Sequence, residues 1–439
     1  MPISAERLDQ AATFPDKVDV VVIGGGIIGV TTALNLALRG VSVALCEKGE
    51  VGHEQSGRNW GWVRVMGRDP GEIPLAIESQ RLWESMDRTI GADVGFVRSG
   101  IVYVVDTPAQ LKAQEEWLEH AKPYQLGSRL LSSKEIGAVL PGSARVYAGA
   151  LFTPNDARAE PFKAAPAIAR KVRELGGHVL TNCAVRGVET AGGRICGVVT
   201  EKGTIRCGQA VLAGGAWTRL FLGNMGIDFP QLKILGSVLR TEPLEGPPSH
   251  AVGGSDFAFR KRADGGYTLA HRGASIAEIV PDSFRLFFDF LPALLKQHSE
   301  LRVRIGRRFI DEAKLARSWR MDEVTPFEQV RILDPEPNHA VLDECLVNVR
   351  KAFPVFENVR VAAKWGGLID ATPDAVPVIG EVPRLPGFFI ASGFSGHGFG
   401  IGPGAGRLVA DLVSGGTPSV DPRPFRLDRF ARLARTTAA

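Results

Sequence analysis

The sequence predicts a protein of the α/β class, in which a discontinuous domain with parallel strands carries an inserted antiparallel-sheet α+β domain. Two observations support this prediction. A strand, a helix and a second strand follow one another near the N-terminus, and a strand, a glycine-rich turn and a helix return near the C-terminus. Between them the pattern changes to short strand-like runs rich in aromatic residues.

The first predicted unit is a βαβ unit. Val18–Ile23 is a nearly continuous apolar run, which is typical of a parallel strand buried on both faces. Apolar residues then recur at helical spacing over 29–38, and Gly40 stands where a helix C-cap belongs. A second strand over Val41–Cys46 ends at Glu47.

Later segments return to the same kind of structure. A helix is expected over Pro161–Leu175, where Gly176-Gly177 ends it, and another over Gly404–Val413. Short strands joined by glycine turns are expected over His178–Val188, Arg194–Glu201, Thr204–Leu212, Val359–Ala363 and Phe388–Ser392.

Composition excludes several classes of protein. The 439 residues are 44% hydrophobic, which is enough for more than one core, and the net charge of +4 is not concentrated in any block, so nucleic-acid binding has little support. The five cysteines form no C-x-x-C pair, which argues against disulfides or a metal site and favours a reducing cytoplasm. The first apolar run is broken by glycine and too short to span a bilayer.

The turn after the first strand carries the motif Gly24-x-Gly26-x-x-Gly29, and Glu47 ends the second strand. Gly24 permits the tight turn, Gly26 lets the backbone approach a pyrophosphate, and Gly29 allows close packing of helix on strand. Glu47 is placed to accept from ribose hydroxyls, which disfavours a 2′-phosphate and hence NADP. The alternative is a glycine-rich turn without a ligand.

Two further segments carry a family resemblance. Val211–Trp217 (V-L-A-G-G-A-W) and the closing block of Thr372–Gly380 (T-P-D-A-V-P-V-I-G) and Gly393–Gly400 (G-F-S-G-H-G-F-G) resemble the D-amino-acid oxidase, glycine oxidase and sarcosine oxidase family. The resemblance runs in order from about Val18 to Gly415. It implies an FAD-dependent oxidation of a C–N bond in a small amino acid or secondary amine, D-amino acids and N-alkyl amino acids included.

The resemblance also implies a domain division and a set of contacts. The Rossmann-like FAD-binding domain is expected at 1–90, 145–228 and 350–439, and the substrate-binding domain at 91–144 and 229–349. The expected cofactor contacts are Gly24, Gly26, Ile27, Ile28, Gly29, Glu47, Lys48, Ser56, Arg58, Asn59, Val185, Ala213, Gly214, Trp217, Gly396, His397, Gly398, Gly400 and Ile401.

A helix beginning at Pro403 would direct free amides around 402–406 and a positive helix end at an anion. Reduced flavin carries negative charge at N1 and the C2 carbonyl, so this helix end is expected beside the flavin. A helix entry that serves packing alone is the alternative reading.

The segment after Glu47 is expected to run beneath the cofactor. Arg58 could pair with phosphate through a forked hydrogen bond. Trp60 and Trp62 either pack at a domain seam or shape the substrate pocket. Arg64 is the preferred candidate to receive a substrate carboxylate.

The sequence departs from the family pattern at the usual carboxylate anchor. Many relatives carry Arg-Pro before the Thr-Pro-Asp block, whereas this chain has Ile369-Asp370. Asp370 would either favour a cationic group of the substrate or cap a loop. The substrate acid would then be held elsewhere, and the candidates are Arg64, Arg260, Arg272 and Arg320.

Other residues complete the candidate site. Gly367 replaces the flavin-linked cysteine of monomeric sarcosine oxidases, which implies non-covalent FAD unless His53 forms a bond. His397 is a catalytic candidate beside the flavin edge or a loop-stabilising residue, and Tyr267 and His271 are candidate pocket residues. No metal is expected.

Three alternatives remain open at the level of function. The chain could act alone on a small amine, act on a substrate carried by a macromolecule, or be the FAD-bearing subunit of a hetero-oligomeric or quinone-linked dehydrogenase. Oxygen or a quinone would accept the electrons, and homo-oligomers are possible. Phe284–Leu295 is either an interfacial apolar plate that contacts a membrane or a core or pocket-lid helix.

Overall fold

The computed structural model describes residues 5–8, 13–297 and 301–430. Its strands are β1 (Val20–Ile23), β2 (Val43–Cys46), β3 (Trp62–Val63), β4 (Val97–Arg98), β5 (Ile101–Val105), β6 (Arg129–Leu131), β7 (Gly149–Thr153), β8 (Ala157–Arg158), β9 (His178–Leu180), β10 (Val185–Ala191), β11 (Arg194–Thr200), β12 (Gly203–Arg206), β13 (Gln209–Leu212), β14 (Leu232–Thr241), β15 (Ala251–Gly253), β16 (Ala258–Lys261), β17 (Tyr267–Ala270), β18 (Ser275–Ile279), β19 (Leu301–Ile305), β20 (Val361–Ala371), β21 (Val378–Glu381) and β22 (Phe388–Ser392). Its α-helices are α1 (Ile27–Ala37), α2 (Gln55–Arg58), α3 (Ile73–Glu84), α4 (Met86–Ile90), α5 (Pro108–Ala121), α6 (Ser133–Val139), α7 (Pro161–Glu174), α8 (Thr218–Asn224), α9 (Pro281–Arg285), α10 (Phe287–Gln297), α11 (Arg308–Lys314), α12 (Pro326–Gln329), α13 (His339–Ala352) and α14 (Gly398–Val413).

The first domain is built on a six-stranded sheet with the order β21-β22-β13-β1-β2-β9. All neighbours are parallel except β21, which pairs antiparallel with β22. Every residue of β1, β2 and β22 is buried, as a central strand covered by helices on both faces requires. The α/β class, the first βαβ unit and the assembly of this domain from distant segments are therefore confirmed.

The second domain is built on a ten-stranded, largely antiparallel sheet. Two of its strands correct the expected domain boundaries. β7 pairs antiparallel with β5, and β20 pairs along most of its length with β14, although 145–228 and 350–439 were both assigned to the first domain. Strand periodicity shows that a strand forms, but the sheet it joins depends on partners far away in the sequence.

α14 carries a second correction, because the helix begins at Gly398 and Pro403 lies inside it. Its glycines serve close packing as helical residues. A Cβ at Gly406 would lie 2.4 Å from Oγ1 of Thr31 on α1. The Thr31 hydroxyl also donates to the Gly402 carbonyl at 3.0 Å. α1 and α14 are thereby held together with their N-terminal ends at the same cleft.

α9 and α10 lie over the edge of the second domain, and Phe287 and Phe290 line a cavity beneath them. Phe284 is 68% exposed and Phe288 is 79% exposed. The segment therefore combines the two roles considered from the sequence, a lid over a pocket and an exposed apolar face, and contact of that face with a membrane stays a prediction. Among the described residues, no helix is both long and apolar enough to cross a bilayer.

Candidate active site

A cleft runs from the carboxyl ends of β1 and β2 to the N-terminal end of α14. Two adjoining cavities of about 130 Å³ and 80 Å³ form this cleft, which we call the dinucleotide cleft. The two cavities share a set of small and polar lining residues, Gly26, Gln55, Ser56, Ala213 and Gly215.

The glycine motif shapes one wall of the cleft. Gly24 has φ +111°, which side chains rarely tolerate, and a Cβ there would lie 2.4 Å from the Ala213 carbonyl oxygen. A Cβ at Gly29 would lie only 1.9 Å from the Gly24 carbonyl oxygen. The turn and the start of α1 therefore depend on glycine at both positions.

Polar groups at the end of β2 and the start of α1 complete this part of the cleft. The Ile27 amide donates to Ser56 Oγ at 2.8 Å, so Ser56 lies against the first turn of α1, where amides lack intrahelical partners. The Glu47 carboxylate accepts from the amides of Gly25 and Gly49 at 2.6 and 2.7 Å. Burial raises the pKa of Glu47 above its usual value.

These features fit FAD. The first turn of α1 offers amides and a positive helix end to a pyrophosphate, and Glu47 borders the cavity beyond it. At the other end, Gly398 and Phe399 of the first turn of α14 line the cleft, where a helix N-terminus favours negative charge by about 0.3–1 kcal/mol.

Most of the predicted cofactor contacts lie at this cleft. Those that line it are Gly24, Gly26, Ile27, Ile28, Glu47, Lys48, Ser56, Asn59, Val185, Ala213, Gly214, Trp217, Gly396 and Gly398. Arg58, His397 and Gly400 instead line the larger cavity beside it. Gly29 and Ile401 line neither space, and Ile401 is fully buried.

The forked phosphate contact predicted for Arg58 needs correction. Arg58 donates from Nε to the His53 carbonyl at 2.9 Å and from Nη1 to the Gly366 carbonyl at 3.0 Å, and it forms an ion pair with Asp334. Its donors therefore join α2 to β20 and to the Asp334 loop. Arg58 lines the polar cavity beside the dinucleotide cleft, and its hydrogen-bond partners belong to the protein.

Two larger cavities adjoin the α14 end of the cleft. One, of about 440 Å³, is lined by polar and aromatic groups, and we call it the polar cavity. The other, of about 490 Å³, lies under α9 and α10 and is mainly apolar, and we call it the apolar cavity. They meet at a shared set of residues, Arg272, Ser275, Ile369, Ser395 and His397.

The polar cavity brings together most of the predicted substrate residues. Trp62, Arg64, His271 and His397 all line it. Trp60 and Trp62 also line it and pack edge to face, with ring centroids 5.2 Å apart, so the packing and pocket roles coincide.

Three other candidates need correction. Tyr267 is fully buried in the core of the second domain, and its hydroxyl donates to the Pro247 carbonyl at 3.1 Å. Arg260 is 1% exposed and forms an ion pair with Glu160 at 2.8 Å. Arg320 is exposed and pairs with Asp322 at 3.0 Å. Of the four arginines considered as the carboxylate holder, the cavity retains Arg64 and Arg272.

Asp370 forms a loop cap, which is one of the two roles predicted for it, while its cation-binding and catalytic role stays a prediction. Its Oδ2 accepts from the amides of Gly393 and Phe394 at 2.8 and 3.3 Å and lies 3.5 Å from Ser392 Oγ. Burial raises the pKa of Asp370 to about 6, although the two backbone amides lower it. The carboxylate therefore holds the loop that precedes α14.

We expect Asp370→Asn to leave substrate affinity unchanged, because the asparagine oxygen can still accept from both amides. Asp370→Ala should lower the free energy of unfolding by about 1–3 kcal/mol, since it leaves two buried amides without an acceptor. Thermal unfolding and anaerobic substrate titration of both variants measure these effects. A large loss of substrate affinity in Asp370→Asn would contradict the loop-cap assignment.

The pH dependence of the free energy of unfolding provides a second measurement for Asp370. Its pKa rises from 3.8 in the unfolded chain to about 6 in the folded protein, so the folded state binds this proton more tightly. The resulting stability is fully present below the unfolded value and is lost as pH rises through about 6. Asp370→Asn should lack this contribution.

His397 is held as a neutral imidazole. Burial and nearby Arg68 lower its pKa to about 4. Its Nδ1 lies 3.3 Å from the Glu72 carboxylate, which is fully buried at the start of α3. Because a carboxylate can only accept a hydrogen bond, the proton of the neutral ring lies on Nδ1 and points to Glu72. Nε2 is therefore an acceptor. The ring lines both larger cavities.

Sequence reasoning missed several residues of the site. Gln55 borders both the dinucleotide cleft and the polar cavity, and its buried Oε1 has no hydrogen-bond partner among the described residues. Arg68 and Tyr103 also line the polar cavity. The spacing Arg64-x-x-x-Arg68 was a usable signal for a second arginine, whereas nothing local distinguishes Tyr103.

Comparison with known proteins now identifies the class. The sequence model of the FAD dependent oxidoreductase family matches residues 19–412, so the chain belongs to this family of flavoenzymes and FAD is its cofactor. The structure of L-amino acid deaminase from Proteus myxofaciens in complex with anthranilate is similar over 97% of this chain and 96% of that chain, with 38% identity and a TM-score of 0.93.

Two further relatives share this similarity. L-amino acid deaminase from Proteus vulgaris is 31% identical, with a TM-score of 0.92 over 97% of this chain and 100% of that chain. Glycine oxidase from Pseudomonas aeruginosa is 26% identical over 418 residues, which cover 92% of this chain and 97% of the relative. The resemblance inferred from the sequence motifs is confirmed.

Proposed function

We propose that this enzyme oxidises the C–N bond of an L-α-amino acid to an imine, which water converts to a 2-oxo acid and ammonia. The observation that carries the proposal is the position of Arg272. Its guanidinium lies where the polar and apolar cavities meet and has no carboxylate partner among the described residues. The two L-amino acid deaminases, at 38% and 31% identity, favour the L configuration.

Arg272 is suited to hold the substrate carboxylate. Its guanidinium carbon lies 4.1 Å from the centroid of the Tyr103 ring, which fixes the plane of the fork. Its one hydrogen bond within the described residues is a long one, 3.5 Å, to the Gly254 carbonyl. Most of its five donors therefore remain for a carboxylate.

The reaction makes few demands on acid–base groups of the protein. When bound, FAD supplies the acceptor for the two electrons and the hydrogen that leave the substrate α-carbon. His397, being neutral with Nε2 free to accept, can take a hydrogen bond from the substrate amine. Trp62 and Phe399 help to exclude water around the reacting carbon.

The FAD is bound without a covalent link in this proposal. His53 lines the cavity at the Glu47 end of the dinucleotide cleft, away from α14, and Gly367 has no side chain to offer. Oxygen or a quinone would accept the electrons in this proposal. Release of FAD on denaturation and reoxidation of the reduced protein with each acceptor test these two points.

We expect anaerobic addition of L-amino acids to bleach the flavin, because Arg272 has donors left for the carboxylate and the two L-amino acid deaminases similar to this chain favour this configuration. The measurement is flavin absorbance with paired L- and D-amino acids, followed by assay of 2-oxo acid and ammonia. Reduction by D-amino acids alone, or by amines that lack a carboxylate as readily as by amino acids, would overturn the proposal.

A further inference from the structure

The polar cavity holds more positive charge than one substrate carboxylate needs. Four arginines line it, and no aspartate or glutamate of the described part of the chain does. The arginines are Arg58, Arg64, Arg68 and Arg272. Arg58 is neutralised by Asp334, and Arg272 serves the α-carboxylate in the function proposed above. Arg64 and Arg68 remain, and we call them the arginine pair.

Hydrogen bonds of the backbone between Arg64 and Arg68 position the arginine pair in the cavity wall. The buried carboxylate of Asp156 accepts from the amides of Val65 and Met66 at 2.7 and 3.2 Å, which fixes the turn between the two arginines. Arg64 donates from Nη1 to the Met66 carbonyl and lies 5.6 Å from the Tyr103 ring centroid. Arg68 Nε donates to the Arg64 carbonyl at 3.4 Å. Both side chains therefore have contacts within the protein that hold them before a ligand arrives.

Arg68 is buried and has a hydrogen-bond donor that is not paired within the described residues. It is 3% exposed, and its buried Nη1 has no hydrogen-bond partner among the described residues. Trp62 provides a second case, since this residue lines the same cavity and its buried Nε1 has no hydrogen-bond partner among the described residues. Buried donors without acceptors are costly, and two of them at one cavity indicate a ligand that accepts.

Two carboxylates interact electrostatically with Arg68, Glu72 and Asp156, but neither forms a hydrogen bond with its Nη1, and Oε2 of Glu72 also lacks a hydrogen-bond partner among the described residues. Glu72 faces His397, and Asp156 holds the two amides between the arginines. Neither carboxylate lines the polar cavity, so their negative charges lie outside it. The side of the arginine pair that faces the cavity is thus left for an anion from outside the protein.

We propose that the arginine pair binds a second anionic group of the substrate, so that the preferred substrates are dicarboxylic L-amino acids. This inference rests on the proposed function, because Arg272 takes the α-carboxylate and the arginine pair takes the side-chain carboxylate. Arg64 and Arg272 both lie against the Tyr103 ring, so one small dianion can reach both. Trp62 Nε1 supplies a neutral donor beside them.

The test compares substrates that differ in one charge. L-glutamate and L-glutamine are added anaerobically to the holoenzyme, and the apparent second-order rate constant of flavin reduction is measured. We expect glutamate to exceed glutamine by about 10- to 100-fold, as one or two charge-assisted hydrogen bonds provide. Arg64→Gln should abolish this ratio, and Arg64→Lys should retain part of it. Arg129→Gln, at an exposed position of β6, is the matched control.

A binding experiment without turnover separates the two proposals. Glutarate and butyrate are titrated into the oxidised holoenzyme and followed by the shift in flavin absorbance. Tighter binding of glutarate that Arg64→Gln removes would support the anion site even if no amino acid reduced the flavin. Equal reduction by glutamate and glutamine, or a glutamate preference that survives in Arg64→Gln, would overturn the anion site while leaving the amino-acid activity intact.

Discussion

We expect the Gly29→Ala variant to purify without FAD. A Cβ at this position would lie 1.9 Å from the Gly24 carbonyl oxygen and 3.0 Å from its carbon, far inside contact distance. Both atoms belong to the backbone of the turn that follows β1, so no side-chain rotation relieves the clash. Either α1 moves away from β1 or the turn changes its path.

Both adjustments disrupt the cofactor site directly. The amides at the start of α1 and the turn at Gly24 form the wall of the dinucleotide cleft, and Gly24 at φ +111° has little freedom to change. A strain of about 3 kcal/mol, typical of overpacking at a rigid site, would lower FAD affinity by about two orders of magnitude. Flavin absorbance relative to protein absorbance and reconstitution with added FAD measure the loss.

A matched control is available in α8. A Cβ at Gly223 meets no heavy atom within 4 Å, so Gly223→Ala should retain full FAD content and gain up to about 1 kcal/mol of stability. Circular dichroism should show that Gly29→Ala keeps its secondary structure. Native FAD affinity in Gly29→Ala would contradict the assigned role of the close helix–strand contact.

The features that the sequence predicted correctly depend on neighbours in the chain. β1, α1 and β2 follow from periodicity, and the close contact of Gly29 with Gly24 follows from the glycine spacing of one motif. Hydrogen bonds and steric limits between residues near one another in the chain decide these features, although Gly24 also meets the distant Ala213 carbonyl. The FAD cofactor also followed, because three short motifs occur in one order.

The side-chain contacts that the sequence left open or predicted wrongly depend on distant partners. Arg58 was expected to bind phosphate, but Asp334, which takes its guanidinium, lies 276 residues away. Asp370 pairs with amides 23 and 24 residues later, at a turn that the sequence shows only as glycine-rich. A charged residue in a motif segment therefore indicates that a polar contact exists without indicating its partner.

The start of α14 shows the same limit for backbone structure. Glycine and proline ordinarily predict a loop, so the helix was expected from Pro403 onward, yet residues 398–402 are helical. The reason is tertiary packing. A Cβ at Gly400 would lie 2.8 Å from the Trp62 carbonyl oxygen, and one at Gly402 would lie 2.9 Å from the Ile27 side chain. These glycines are needed for contact with β3 and α1.

The second large effect is expected for Arg272→Met, which removes the proposed anchor of the α-carboxylate and keeps an unbranched, uncharged side chain in place of the arginine stem. A charge-assisted hydrogen bond contributes about 1.5–3 kcal/mol, so kcat/KM for L-amino acids should fall by about 10- to 150-fold. Arg272→Lys should recover only part of the loss, because a lysine ammonium cannot form the planar fork. Steady-state kinetics with both variants measure this difference.

The fold should tolerate the change. Arg272 makes one long hydrogen bond to the Gly254 carbonyl and a stacking contact with Tyr103, so its loss should leave the thermal unfolding temperature nearly unchanged. Arg129→Met on β6 controls for removal of an arginine elsewhere in the same domain. A native kcat/KM in Arg272→Met would exclude the anchor role.

The pattern across substrates distinguishes Arg272 from the arginine pair. Arg272→Met removes a contact that every amino acid makes, so glutamate and glutamine should lose activity by the same factor. Arg64→Gln removes a contact that only glutamate makes, so the two substrates should diverge from their native ratio. Because the two guanidinium groups lie against one tyrosine ring, opposite patterns would mean that their roles are exchanged. Rates for two substrates and two variants therefore assign each arginine to one carboxylate.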